Sequence, residues 1–151
     1  MQNVFDAKDA QEYINRINNL TPETQRKWGK MSVDQVLAHL NVAYDLTFTP
    51  EKFPKPSFIA KFLLSKFVKP KITNEIPYKQ SLPTSPAFII ADERNFEEEK
   101  AKLIGNIQRV QQLGREAFEG KENINFGKMT AQCWNNMFAK HLNHHLDQFG
   151  V

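Results

Sequence analysis

Residues 126–151, FGKMTAQCWNNMFAKHLNHHLDQFGV, decide how the rest of the chain is read. Thr130 is a good helix N-cap and Gly150 a good helix stop, and neither proline nor glycine interrupts the residues between them. With His141 as origin and about 100° per residue, Trp134 falls at about 20°, His145 at about 40°, Phe138 at about 60°, Phe149 at about 80° and Met137 at about −40°. His141 and His145 therefore lie inside an aromatic stripe and point toward a core. His144 falls at about −60°, beside Cys133 and Lys140 at the edge of the stripe, and is expected to be half-exposed.

A second stretch, WGKMSVDQVLAHLNVAYDL at 28–46, begins in the same way. WGKMS and FGKMT match as aromatic, glycine, lysine, methionine and hydroxyl cap, so two helices share one kind of start. His39, seven residues past Ser32, sits about 20° round its helix from that cap, and Val36 and Ala43 draw it inward. Working outward, Asp6 caps a first helix that runs to Leu20 with Ala10, Tyr13, Ile14 and Ile17 at helical spacing. Another helix starts near Asp92 or Arg94, shows Phe96, Leu103, Ile107 and Val110 on one face, solvates Glu97 to Lys100 on the other, and stops at Gly114 or Gly120.

Seven of the eight prolines lie between Pro50 and Pro86, which makes the connection between the second and third long helices a long crossover. It is interrupted by one short helix at 58–68, FIAKFLLSKFV, and its Phe53, Phe58, Phe62 and Tyr78 are expected to wall a site. The only hint of a strand is weak, at AFII, 87–90. The expected architecture is all-α, a four-helix bundle forming one domain over residues 1–151.

Net charge of +3 with scattered lysines gives no basic stripe for nucleic acid. The single cysteine, Cys133, has no internal disulfide partner, and the N-terminal residues have neither the basic nor the apolar region of a signal peptide, so a cytoplasmic protein is expected. No apolar run approaches the roughly 20 residues of a spanning helix.

Three core-facing imidazoles are costly unless something satisfies their nitrogens. Alone, His39 reads as an ordinary buried histidine donating to a backbone carbonyl. His141 and His145 change this, because histidines at i and i+4 present their rings on one face at chelating separation and His39 completes a three-nitrogen set with open positions. Leu142 and Asn143 stand where the H-E-x-x-H motif would place its glutamate, so no general base is built in. Cys133, two turns before His141, is badly placed as a fourth ligand. His144, Gln148 and Gln35 are candidates to hold the ligands by hydrogen bonds. An enzyme that activates a thiol or water, a non-catalytic metal-binding or interaction bundle, and a metal-free bundle all remain open.

The G-K-M-S cap with a histidine seven residues on, the proline-rich crossover and the ending WNNMFAKHLNHHLDQFG resemble the DinB-like (YfiT-like) superfamily of metal-dependent proteins, and within it a subfamily of unknown function. The resemblance covers nearly the whole chain. It implies a four-helix bundle with a divalent metal, often zinc or nickel, on one histidine of the second helix and an H-x-x-x-H pair of the last, matching His39, His141 and His145. It also implies a small-molecule substrate, with a low-molecular-weight thiol as partner in the relatives that are S-transferases using bacillithiol, mycothiol or glutathione. Some relatives act as homodimers, and metal-assisted hydrolysis is the alternative reaction.

Overall fold

The computed structural model describes residues 1–151. Asp6 caps α1 (Ala7–Asn18) by accepting from the backbone N–H groups of Lys8 and Asp9, and α1 turns Ala10, Tyr13, Ile14 and Ile17 inward. α2 (Val33–Phe48) is buried over most of its circumference, which makes it the central helix. A long crossover follows, with α3 (Phe58–Leu63) and α4 (Lys69–Thr73) joined by one π turn at Leu64–Val68. α5 (Phe96–Leu113) is capped by Asn95, whose side chain accepts from Glu98 N. α6 (Ala131–Phe149) is capped by Thr130, which accepts from Cys133 N, and ends at Gly150 with a left-handed φ of 78°. That conformation costs any residue with a Cβ, so the stop is specific to glycine.

α1 packs on α5 and α6, and α2 packs on the same two helices, so the four long helices share one apolar interior. At its centre Tyr44 stacks on Phe138, with ring centroids 4.7 Å apart, and Phe138 stacks on Trp134 at 5.7 Å. Phe118, from the turn after α5, meets Phe5, Phe48, Trp134 and Phe138 and closes that end of the interior. Fully burying one such side chain stabilises the fold by roughly 1.5–3 kcal/mol.

Several features differ from the sequence expectation, among them the end of α1, which stops at Asn18 before reaching Leu20. α5 starts at Phe96, not at Asp92 or Arg94, because those residues are tied to the start of α2: Arg94 N donates to Asp34 Oδ2 at 2.8 Å and Gln35 Nε2 donates to the Asp92 carbonyl. The crossover helix continues to Thr73 rather than stopping at Val68, and its π turn ends one residue short of the Lys69–Pro70 bond. Proline has no N–H for the helical ladder and its ring crowds the preceding turn, so widening that turn lets the helix continue past it. The weak strand candidate AFII begins as a 3-10 turn at Pro86–Phe88. The one sheet is an unexpected antiparallel pair, β1 (Glu122–Asn123) and β2 (Gly127–Lys128), whose two-residue strands are too short to show an alternating pattern.

Candidate metal centre

The matched helix starts bring three rings to one point. α2 carries His39 and α6 carries His141 and His145, with one turn between the last two, and their candidate ligand atoms all lie within 4.8 Å of one another. The ring centroids are 4.9 Å apart for His39 and His141, 4.6 Å for His39 and His145, and 5.0 Å for His141 and His145. His39 and His145 are buried and His141 is half-buried. Both capping regions pass through glycines of positive φ, Gly29 at 83° and Gly127 at 69°, so the sequence likeness of the two helix starts is also a backbone likeness.

Hydrogen bonds determine which nitrogen each ring offers. His39 Nδ1 lies 2.7 Å from the Phe88 carbonyl oxygen, which only accepts, so Nδ1 carries the proton and Nε2 keeps its lone pair. Gln148 Nε2 donates to the Trp28 carbonyl at 2.7 Å, which leaves Gln148 Oε1 to accept from His145 Nδ1 at 2.8 Å. His145 Nε2 is therefore also a free lone pair. His141 Nε2 lies 2.9 Å from His39 Nε2, so without a cation His141 Nε2 carries the proton and donates to the His39 lone pair; its Nδ1 has no hydrogen-bond partner in the protein and can take the proton when Nε2 is needed as a ligand.

Burial is the leading cause that lowers the proton affinity of all three rings, pushing His145 down to about 3 and His141 well below its ordinary value, with His39 lowered as well. Neutral imidazole is the form that binds metals. A tetrahedral zinc with bonds of roughly 2.0–2.1 Å separates its ligand nitrogens by roughly 3.3–3.4 Å, a spacing between the 2.9 Å of the His39–His141 pair and the 4.8 Å that bounds the whole set. The residues present fit a divalent metal.

Of the three expected supporting side chains, the structure brings one to the ligands. Gln148 bridges His145 and the Trp28 carbonyl, and a Cβ on Gly29 would collide with the Gln148 side-chain nitrogen, so the glycine leaves room for the bridge. Gln35 does not reach the histidines. It sits in the first turn of α2, accepts from Ser32 N at 3.1 Å as half of a capping box, and reaches on to Asp92, because a cap three residues upstream claims a glutamine at that position. His144 makes no hydrogen bond to a ligand; its ring packs edge-on against His145, Trp28 and Tyr78.

The sequence reading missed Phe88. Its carbonyl orients His39, and its ring packs edge-on against His39 and His141 at 5.3 and 5.8 Å. Only the weak apolar run AFII marked the place. Lys140 was also missed: it is buried, and its Nζ donates to the Lys71 carbonyl at 2.6 Å and to Asn74 Oδ1 at 2.7 Å over the face of Tyr78. These bonds tether the end of α4 to α6.

A cleft of about 380 Å³ is lined by Trp28, Tyr78, Lys140, Asn143, His144 and Asp147 among others; none of the three clustered histidines lines it, and His144, which packs on His145, is the residue that links the two. The crossover thus contributes Tyr78 to a cleft wall and Phe88 to the histidines, whereas Phe58 and Phe62 face outward, 86% and 56% exposed. Asp34 bonds Ser32 and Arg94, Asp45 pairs with Lys102, and Asp147 pairs with Arg16, so none of these carboxylates joins the three nitrogens.

Gln148→Ala is expected to weaken metal binding about 10- to 100-fold in a competitive chelator titration, because His145 loses the acceptor that holds its Nδ1–H. Gln35→Ala is expected to leave that titration unchanged.

Fold and site together define a mostly helical protein with a tri-histidine cluster able to hold a divalent cation. The family described as "Protein of unknown function (DUF1569)" matches residues 2–150, and the chain belongs to that family. No curated protein and no solved structure matches it.

Proposed function

We propose that this protein is a metal-dependent enzyme, a four-helix bundle of the DinB-like (YfiT-like) kind, with His39, His141 and His145 holding zinc or nickel and a low-molecular-weight thiol as one substrate. The observation that carries this reading is the tautomer control: the Phe88 carbonyl and Gln148 Oε1 each accept the Nδ1–H of a buried histidine and leave its Nε2 with a lone pair, in a cluster whose ligand atoms lie within 4.8 Å of one another. A divalent cation on three neutral nitrogens retains its full charge and supplies Lewis-acid activation of a thiol or water.

The chain's own residues supply the rest. Low proton affinity keeps the ligands neutral, the Phe88 ring packs against two of them, and the cleft lined by Tyr78 and His144, whose ring packs on His145, offers space for a co-substrate. In thiol transfer the new carbon–sulfur bond forms as the thiol's proton and the electrophile's leaving group depart. Asp34, Asp45 and Asp147 are each bonded elsewhere and leave no carboxylate placed as a general base for water, which favours thiol transfer over metal-assisted hydrolysis.

The cobalt(II)-substituted protein tests the reaction class. Adding bacillithiol, mycothiol, glutathione or coenzyme A is expected to produce a sulfur-to-metal charge-transfer absorption that His39→Ala protein lacks. If no thiol in the panel changes the spectrum and none is conjugated to a generic electrophile, hydrolysis or a non-catalytic metal-binding role replaces thiol transfer.

A further inference from the structure

The helical segment running from α3 through the π turn into α4 leaves a broad apolar face in solvent. The half-buried side carries Ala60, Leu64 and Ile72 together with Ser65 and two anchoring lysines: Lys61 Nζ bonds Glu122 Oε1 at 2.8 Å and Lys69 Nζ donates to the Lys128 carbonyl at 2.9 Å. The side turned to solvent carries Phe58, Ile59, Phe62, Leu63 and Phe67, between 46% and 86% exposed. A helix laid over a core ordinarily keeps its large side chains on the inner side, and a contiguous exposed apolar face of this kind marks a contact surface.

The charge around that face identifies what it contacts. Between Lys52 and Lys71 the chain has six lysines and no acidic residue, although the whole protein carries only +3. Lys52, Lys55, Lys66 and Lys71 are exposed, and Lys66 Nζ lies 5.9 and 5.6 Å from the Phe62 and Phe67 rings, its stem lying along the apolar face. A second copy docking here about a two-fold axis would set the same lysines against each other. An anionic lipid surface satisfies both features, with phosphates for the ammonium groups and the acyl boundary for the phenylalanines. No helix of the protein is long and apolar enough to cross a membrane, so such a contact lies in the plane of the interface.

We infer that the outward face of residues 58–73 docks this protein on anionic membrane surfaces. The inference does not depend on the metal centre. Sedimentation with vesicles of equimolar phosphatidylglycerol and phosphatidylcholine tests it against vesicles of phosphatidylcholine alone. Binding is expected only to the anionic vesicles, and it should weaken as salt rises, because the Debye length contracts from about 30 Å at 0.01 M to about 8 Å at 0.15 M.

Phe58→Ser with Phe62→Ser is expected to reduce vesicle affinity on the order of a hundredfold while circular dichroism and thermal unfolding stay unchanged, since both rings are exposed. Lys66→Glu with Lys71→Glu should abolish the preference for anionic lipid, and His145→Ala should bind vesicles as the parent does. No binding to anionic vesicles would overturn the inference. So would a dimer in analytical ultracentrifugation that the double serine variant dissolves, which would make this face a contact between copies, or an unaltered affinity in both double variants.

Discussion

The parent protein is expected to bind about one divalent cation per chain and His145→Ala protein to lose it, with an affinity loss of more than about a hundredfold, beyond what removal of an outer hydrogen-bond partner costs. The substitution deletes one of three donors and also frees Gln148, whose Oε1 has no other proton to accept and whose Nε2 anchors the Trp28 carbonyl. His141→Ala and His39→Ala should behave alike, because two imidazoles leave most of the coordination sphere to solvent. His144→Ala is the control. Its ring touches His145 edge-on without a hydrogen bond, so metal content should be nearly retained. Elemental analysis of the four purified variants decides the matter, and equal retention in all of them would remove the site assignment.

The metal-free protein is expected to lose stability steeply on mild acidification. Burial depresses the folded-state proton affinity of His39, His141 and His145, whereas in the unfolded chain each titrates near its ordinary value of 6.5. Below pH 6.5 the unfolded state therefore takes up protons that the folded state refuses, and stability falls with pH until the folded rings protonate, for His145 at about 3. Each histidine that stays neutral contributes a slope of about 1.4 kcal/mol per pH unit, so the three together reach at most about 4 kcal/mol per unit. Urea unfolding at pH 7 and pH 5 measures this directly; a flat profile would show that the rings open to water before they titrate. Bound metal should raise stability at pH 7 by about 2.7 kcal/mol at a free concentration of 100 times the dissociation constant, and protons competing for the same lone pairs should remove that gain on acidification.

The helix pattern and its chemistry were largely legible because both are local. Asp6, Ser32 and Thr130 mark their helix starts through bonds spanning three residues or fewer, and Gly114 and Gly150 mark ends through their backbone conformation. The inward direction of His141 and His145 follows from their angle to Trp134 and Phe138 on the same helix. Gln148 was reachable in the same way, three residues from the ring it holds. Gln35 failed the same reasoning because sequence proximity to His39 does not say which of two nearby acceptors and donors a side chain serves, and the helix start is the nearer one.

The amino-acid sequence by itself determined the capped helices, the faces they bury, the three histidines and the proline-rich crossover, since each is a property of neighbouring residues under a fixed helical period. Only the tertiary structure decided that Phe88 closes over His39 and His141, that Lys140 tethers the crossover through Lys71 and Asn74, and that the 58–73 helix turns its phenylalanines away from the core. Those contacts join residues separated by tens of positions through a crossover that has no period, and nothing local chooses among the paths such a segment can take. The packed α2–α6 surface selects one of them by the donors and acceptors it leaves to be paired.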